Sequence, residues 1–148
     1  MPGTFSNIGV HVVFSTKNRL PLLTASTRGI LFPYVGGIVD RVGGSLVNVG
    51  GMPDHIHLLI RVPTNLSVAD AVRTVKANSS KWINEQVRQS KFGWQRGYGA
   101  FSVSQSDMPR VSEYIRNQER HHRARSFEEE LEVLLKRHKI EYDKRYLC

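Results

Sequence analysis

Two short stretches combine residue types and spacings that suit chemistry: His55-Ile56-His57, and Tyr114 followed four residues later by Gln118. On a strand, alternate side chains share a face, so His55 and His57 would point the same way while Ile56 points to the other face. Paired neutral imidazoles with positions left over suit a divalent cation such as manganese, zinc or magnesium. The plainer alternative is that one or both are hydrogen-bonded surface histidines. Asp54 could orient an imidazole from behind, or serve only the turn before the strand. On a helix, Tyr114, Gln118 and His122 fall at i, i+4 and i+8, along one stripe. Tyr114 alone would suit a core or boundary aromatic. Gln118 beside it is odd for a core and sensible for a metal or phosphate ligand. Glu113 and Glu119 read as solvated or pairing residues, and His121 and His122 as surface residues, with phosphate contact or assistance to proton transfer as the alternative.

These groups need a scaffold to hold them. Ile8, Val10, Val12 and Phe14 alternate as a first strand. Thr24-Ala-Ser-Thr opens a helix that runs to Gly43-Gly44, despite the unfavourable Gly36-Gly37 inside it. Ser45 to Val49 is expected as a second strand, Gly50 to Asp54 as the connection, and His55 to Val62 as a third strand paired antiparallel. Ser67 caps a long amphipathic helix. Ala100 to Ser104 forms a fourth strand, and Ser106 or Asp107 caps the helix that carries Tyr114. Ser126 and Glu129 stand in capping-box spacing before a final helix. The order β-α-β-β-α-β predicts an α+β, ferredoxin-like antiparallel sheet with two helices on one face and additional C-terminal helices. Ile56, Leu58 and Ile60 would pack beneath the two helices, leaving the histidines on the open face of the sheet, which stays available for a ligand or for the late helices.

The chain has 148 residues, suited to a single domain with a core at about 5–125 and a helical tail at about 126–148. Its formal net charge of +8 favours a polyanionic partner, although cationic surface can serve solubility alone. The sole cysteine, Cys148, permits no internal disulfide and suits a reducing compartment. No apolar run is long enough for a bilayer and the start does not read as a secretory signal, so a cytoplasmic protein is expected.

The Pro-Asp turn before His55-Ile56-His57, followed by Tyr114-Ile-Arg-Asn-Gln118, resembles the single-tyrosine HUH transposases. These serve the smallest bacterial insertion sequences, the IS200-like elements, and include relatives associated with REP palindromes. Val12-Val13-Phe14-Ser15-Thr16-Lys17 and Trp94-Gln-Arg-Gly-Tyr-Gly-Ala-Phe-Ser-Val-Ser104 extend the resemblance over nearly the whole chain. It implies a ferredoxin-like catalytic core, Tyr114 as nucleophile, and His55, His57 and Gln118 as ligands of a divalent metal, Mg2+ or Mn2+. It also implies cleavage and rejoining of single-stranded or hairpin DNA through a 5′-phosphotyrosine, and a homodimer in which the tyrosine helix can complete the partner's site.

Candidates for tracking the DNA backbone are Arg73, Lys76, Lys81, Arg88, Lys91, Arg96, Arg116, Arg120, Arg123 and Arg125. Trp94, Tyr98 and Phe101 could stack bases, though packing at the fourth strand is the simpler role. No GxxxxGK[ST] phosphate loop is present. Two rivals stand beside this reading. One is a metal-dependent nuclease or phosphodiesterase using water, with Tyr114 merely packing; the other is a non-catalytic nucleic-acid-binding domain of the same fold. A histidine-triad hydrolase fits less well, because Leu59 stands where a third histidine would be.

Overall fold

The structure is a computed structural model and describes residues 3–87, 91–122 and 125–147. Its sheet has four antiparallel strands in the order β2-β3-β1-β4, with β1 at Gly9–Ser15, β2 at Ser45–Met52, β3 at His55–Arg61 and β4 at Gly99–Val103. Helix α1 (Ala25–Arg41) joins β1 to β2, and α2 (Val68–Gln86) joins β3 to β4. This is the expected ferredoxin-like plan. Thr24 and Ser67 cap the two helices through their hydroxyls, which accept from the Thr27 and Asp70 amides.

The pleat of β1 and β3 explains the two faces. Val10, Val12, Phe14, Ile56, Leu58 and Ile60 point into one core with Leu31, Val35 and Ile38 of α1 and Val72, Val75 and Ile83 of α2. His11, Val13, Ser15, His55, His57 and Leu59 alternate with them and therefore face the other way. That second face is covered rather than open: α3 (Met108–Arg116), α4 (Gln118–His121) and α5 (Phe127–Arg137) follow β4, and Ile115, Phe127 and Leu131 pack onto Leu59, Val13 and Phe101. The late helices bring apolar faces of their own, and the sheet's second face is where they bury them.

Two expectations are corrected. The second strand continues through Gly50 and Gly51 to Met52, leaving only Pro53-Asp54 as the turn. These glycines are places of close approach: a Cβ on Gly50 would fall on the carbonyl oxygen of Ile115, and one on Gly51 on that of His55. The single stripe from Tyr114 to His122 is also interrupted. The chain leaves helical geometry at Asn117 (φ −97°, ψ 30°), so Tyr114 lies on α3 and Gln118 begins α4.

Candidate active site

His55 and His57 lie at the start of β3 with their rings turned beneath α5, and both are wholly buried. Each is held from behind. The Asp54 carboxylate lies 2.7 Å from His55 Nδ1, and His11 Nε2 lies 2.7 Å from His57 Nδ1. A third histidine joins them, for His122 Nδ1 is 2.6 Å from the Arg125 carbonyl oxygen. With every Nδ1 engaged, each Nε2 is turned toward one shared point.

That point is formed by acceptors. Glu130 Oε1 lies 2.9 Å from His57 Nε2, 3.2 Å from His122 Nε2 and 3.4 Å from His55 Nε2. Gln118 Oε1 lies 3.2 Å from His55 Nε2 and 3.0 Å from His122 Nε2. The candidate ligand atoms of His55, His57, His122 and Glu130 all lie within 4.8 Å of one another. With Nδ1 engaged on each ring, the three Nε2 atoms share one carboxylate and one amide oxygen, and a buried carboxylate in such a set needs positive charge among its neighbours. A divalent cation supplies it, and mixed imidazole, carboxylate and amide donors suit manganese, magnesium or zinc. The residues therefore fit a metal.

Electrostatics follow the packing. Burial works against a charge on Glu130, but the hydrogen bonds with His122, His55 and His57 overcome it and hold this carboxylate far below the usual range. Burial likewise opposes charge on His55, yet Asp54 and Glu130 raise it above an ordinary histidine. For His57, wholly enclosed, burial wins and the pKa falls despite Glu130. Tyr114 reaches the same cluster: its hydroxyl donates to Glu130 Oε2, and its ring lies edge-on to His57 at 5.9 Å. Burial first, and then the Glu130 charge, push the phenol well above its usual pKa.

The position of Tyr114 depends on how α3 is seated. Gly50 admits the backbone of α3 close to β2, and Asn48 Nδ2 donates to the Ser112 carbonyl oxygen at 2.9 Å. The break at Asn117 then lets Gln118 turn inward, where its side chain is 1% exposed.

The family model described as "Transposase IS200 like" matches residues 4–118. The chain belongs to this family. Among curated relatives, the transposase is 24% identical over 114 residues to the ISDra2 transposase TnpA of Deinococcus radiodurans, covering 73% of this chain and 81% of that one. It is 25% identical over 118 residues to the transposase for insertion sequence element IS200 of Salmonella typhimurium, covering 76% and 77%. Two solved structures share the fold. One, from Deinococcus radiodurans R1 and described as a candidate transposase, superposes with a TM-score of 0.66 at 23% identity over 80% of this chain and 95% of that one. The other is a REP-associated tyrosine transposase bound to a REP hairpin, with a TM-score of 0.58 at 15% identity over 79% and 69%.

In this transposase the structure brings together His55, His57, Gln118 and Tyr114, all anticipated from sequence. It adds His11 and Glu130, which were not, and His122, which the spacing put on the stripe of Tyr114 and Gln118 but which was expected at the surface. The surface role expected of His122 is corrected, since its imidazole is inside the cluster and its side chain is 7% exposed. Of the two occupants expected for the second face, a ligand or the late helices, the helices are the ones that cover the histidines. His122 and Glu130 both fall beyond the stretch matched by the family model. An alternating strand or a capping box marks no buried glutamate, and only a lone carboxylate facing inward on α5, between Phe127, Leu131 and Leu134, could have signalled Glu130.

The expected DNA-tracking residues are dispersed. Arg73 and Lys81 extend from α2 on the opposite side of the sheet, with Arg73 paired to Asp70. Lys76 turns back to donate to the carbonyl oxygens of Gln95 and Gly97 and lies over the Phe14 ring. Arg96 is exposed in the loop before β4. Arg116 at the end of α3 and Arg120 within α4 lie on the side of Gly50, and Arg125 lies beside the cluster. Arg88, Arg123 and the side chain of His121 lie outside the described residues, as does Cys148. Trp94 packs edge-on to Phe14 and donates to Ser79 Oγ, and Phe101 is buried. No helix among the described residues is long and apolar enough to cross a membrane.

Proposed function

We propose that this chain cleaves and rejoins single-stranded or hairpin DNA through a covalent 5′-phosphotyrosine on Tyr114, with a divalent metal, Mg2+ or Mn2+, at His55, His57 and Gln118. The observation that supports it above the others is the shared carboxylate. One oxygen of Glu130 accepts from the Tyr114 hydroxyl, and the other lies among the three imidazoles, so nucleophile and candidate metal ligands form one connected unit.

A phenol is a weak nucleophile until it loses its proton. Burial and the Glu130 charge hold Tyr114 protonated, so ionisation requires compensating positive charge nearby. The histidines, Gln118 and Glu130 would hold a divalent ion, which would supply that charge and offset the negative charge that gathers on the phosphoryl oxygens. Tyr114 Oη then bonds to phosphorus and the bond to the 3′-oxygen breaks. The hydrogen bond to Glu130 orients the phenol, the proton that the phenol gives up passes to solvent, and the departing oxygen takes one up from solvent to leave as a 3′-hydroxyl. Attack on the phosphotyrosine by another 3′-hydroxyl reverses the step and rejoins strands with no nucleotide cofactor. His11 and Asp54 keep the rings of His57 and His55 in place from behind. The relative solved with a REP hairpin supports a structured single strand as the substrate class. A homodimer is included in the proposal as the family's assembly, although Tyr114 here meets the histidines of its own chain.

The test is to incubate the protein with labelled single-stranded DNA from the ends of its own element and manganese or magnesium. A covalent protein–DNA adduct should form, and Tyr114→Phe should abolish both adduct and cleavage. Cleavage retained by Tyr114→Phe would establish a water-using nuclease instead.

A further inference from the structure

A cleft of about 400 Å3 opens between α3, β4 and α5, directly beside the Tyr114 ring and the Glu130 carboxylate. Its volume lies within the roughly 300–1,000 Å3 of small-molecule sites. The composition of its wall is divided. Val133 on α5 contributes to an apolar side, together with His138, whose ring stacks on Phe101 at 4.7 Å and 26°. Arg110, Arg125 and Arg137 bring positive charge from α3, from the residues before α5 and from its end, with Arg110 also 3.5 Å from Asp107. An apolar wall bordered by guanidinium groups suits a ring carrying an anion.

We propose that this cleft is a nucleotide subsite, which seats the base next to the scissile phosphate against the His138 and Val133 wall and holds backbone phosphate with the arginines. The proposal rests on the reading of Tyr114 as nucleophile and deepens it, since a nucleotide in this cleft has its phosphate beside Tyr114 and Glu130, which both line it. Much of the wall belongs to α5, which lies outside the stretch shared with the family model, so the subsite is a property of this chain's C-terminal helix. Base stacking is tolerant of sequence and guanidinium groups hold phosphate without reading it, so the subsite would position the strand rather than select it.

The experiment titrates the full chain, without DNA, with each of the four deoxynucleoside 5′-monophosphates, with deoxyribose 5-phosphate and with inorganic phosphate, following amide NMR shifts. The nucleotides should bind roughly tenfold more tightly than deoxyribose phosphate, the size of one stacking contact, with shifts concentrated at the cleft. Val133→Trp, which fills the cleft, and the exposed substitution Arg137→Glu, which leaves the core intact, should each weaken nucleotide binding by a similar factor. Equal binding of nucleotide and deoxyribose phosphate would overturn the proposal, as would unchanged nucleotide binding in Arg137→Glu. Because this titration involves no chemistry, Tyr114→Phe should still bind nucleotide. A missing covalent adduct with intact nucleotide binding would then reject the catalytic reading alone.

Discussion

Asp54 does two jobs at once. Its backbone carbonyl accepts from the Thr16 amide at 2.8 Å, fixing the turn, while its carboxylate steadies His55. Both readings of this residue from sequence therefore hold together. Asp54→Asn keeps the turn but weakens the hold on the ring, and manganese affinity measured by calorimetry should drop about 10- to 100-fold. His11 supports His57 in the same way, and its burial has a consequence for pH. Enclosure, with the His57 charge adding and the Glu130 charge opposing, brings its pKa down to about 3. The unfolded chain protonates this residue near pH 6.5. Stability from neutral His11 is thus complete above pH 6.5 and lost as the pH falls toward 3. In metal-free protein, melting temperatures between pH 7 and 4 should fall less steeply in His11→Gln than in the parent. Equal slopes would reject this role. His11 was invisible in the sequence because its partner is 46 residues away, joined only by the register that sets Val13 opposite His57 and His11 opposite Leu59.

Among the elements, α3 is the one whose seating matters most. The sequence showed the helix, its start and the Tyr114–Gln118 spacing, since these are local. It could not show that Gly50 faces the back of that helix, because a Gly-Gly pair before Pro-Asp reads as turn chemistry as readily as close packing. The two roles predict different outcomes. Were Gly50 only a turn residue, a small side chain would be harmless. Against the Ile115 carbonyl, Gly50→Val must push α3 outward, which should cost about 1–3 kcal/mol and reduce adduct formation more than DNA binding. Circular dichroism and thermal melts would measure the first, and gel-resolved adduct yield the second. Adduct yield equal to the parent would show that the close approach is not needed to place Tyr114. The break at Asn117 was hidden for a related reason: i, i+4 spacing assumes a continuous helix, and the residues nonetheless converge because α4 restarts at once.

At the scale of the molecule, the sheet separates two kinds of surface. One face carries an ordinary apolar core under α1 and α2, and that half was legible from alternation and helical period alone. The other mixes apolar contacts with a polar cluster assembled from β1, β3, α4 and α5. A cation among those donors would join the C-terminal helix to the sheet. Manganese at about 100 times its dissociation constant should therefore stabilise the fold by about 2.7 kcal/mol, and amide exchange should slow across α5 as well as at β3. Glu130→Ala should remove most of the exchange effect on α5. Slowing confined to β3 in the parent protein would show that Glu130 does not take part in binding.

The enclosure of the cluster also governs kinetics. His55 and His57 are 0% exposed, and Gln118 and Glu130 are 1% exposed. Phe127 closes the cluster on the side of His55, its ring stacked on that imidazole at 4.5 Å, whereas the cleft beside Tyr114 and Glu130 gives a chelator a way in. Stripping of a seated cation should therefore slow in Val133→Trp, which fills that cleft, and a rate equal to the parent's would show a different route.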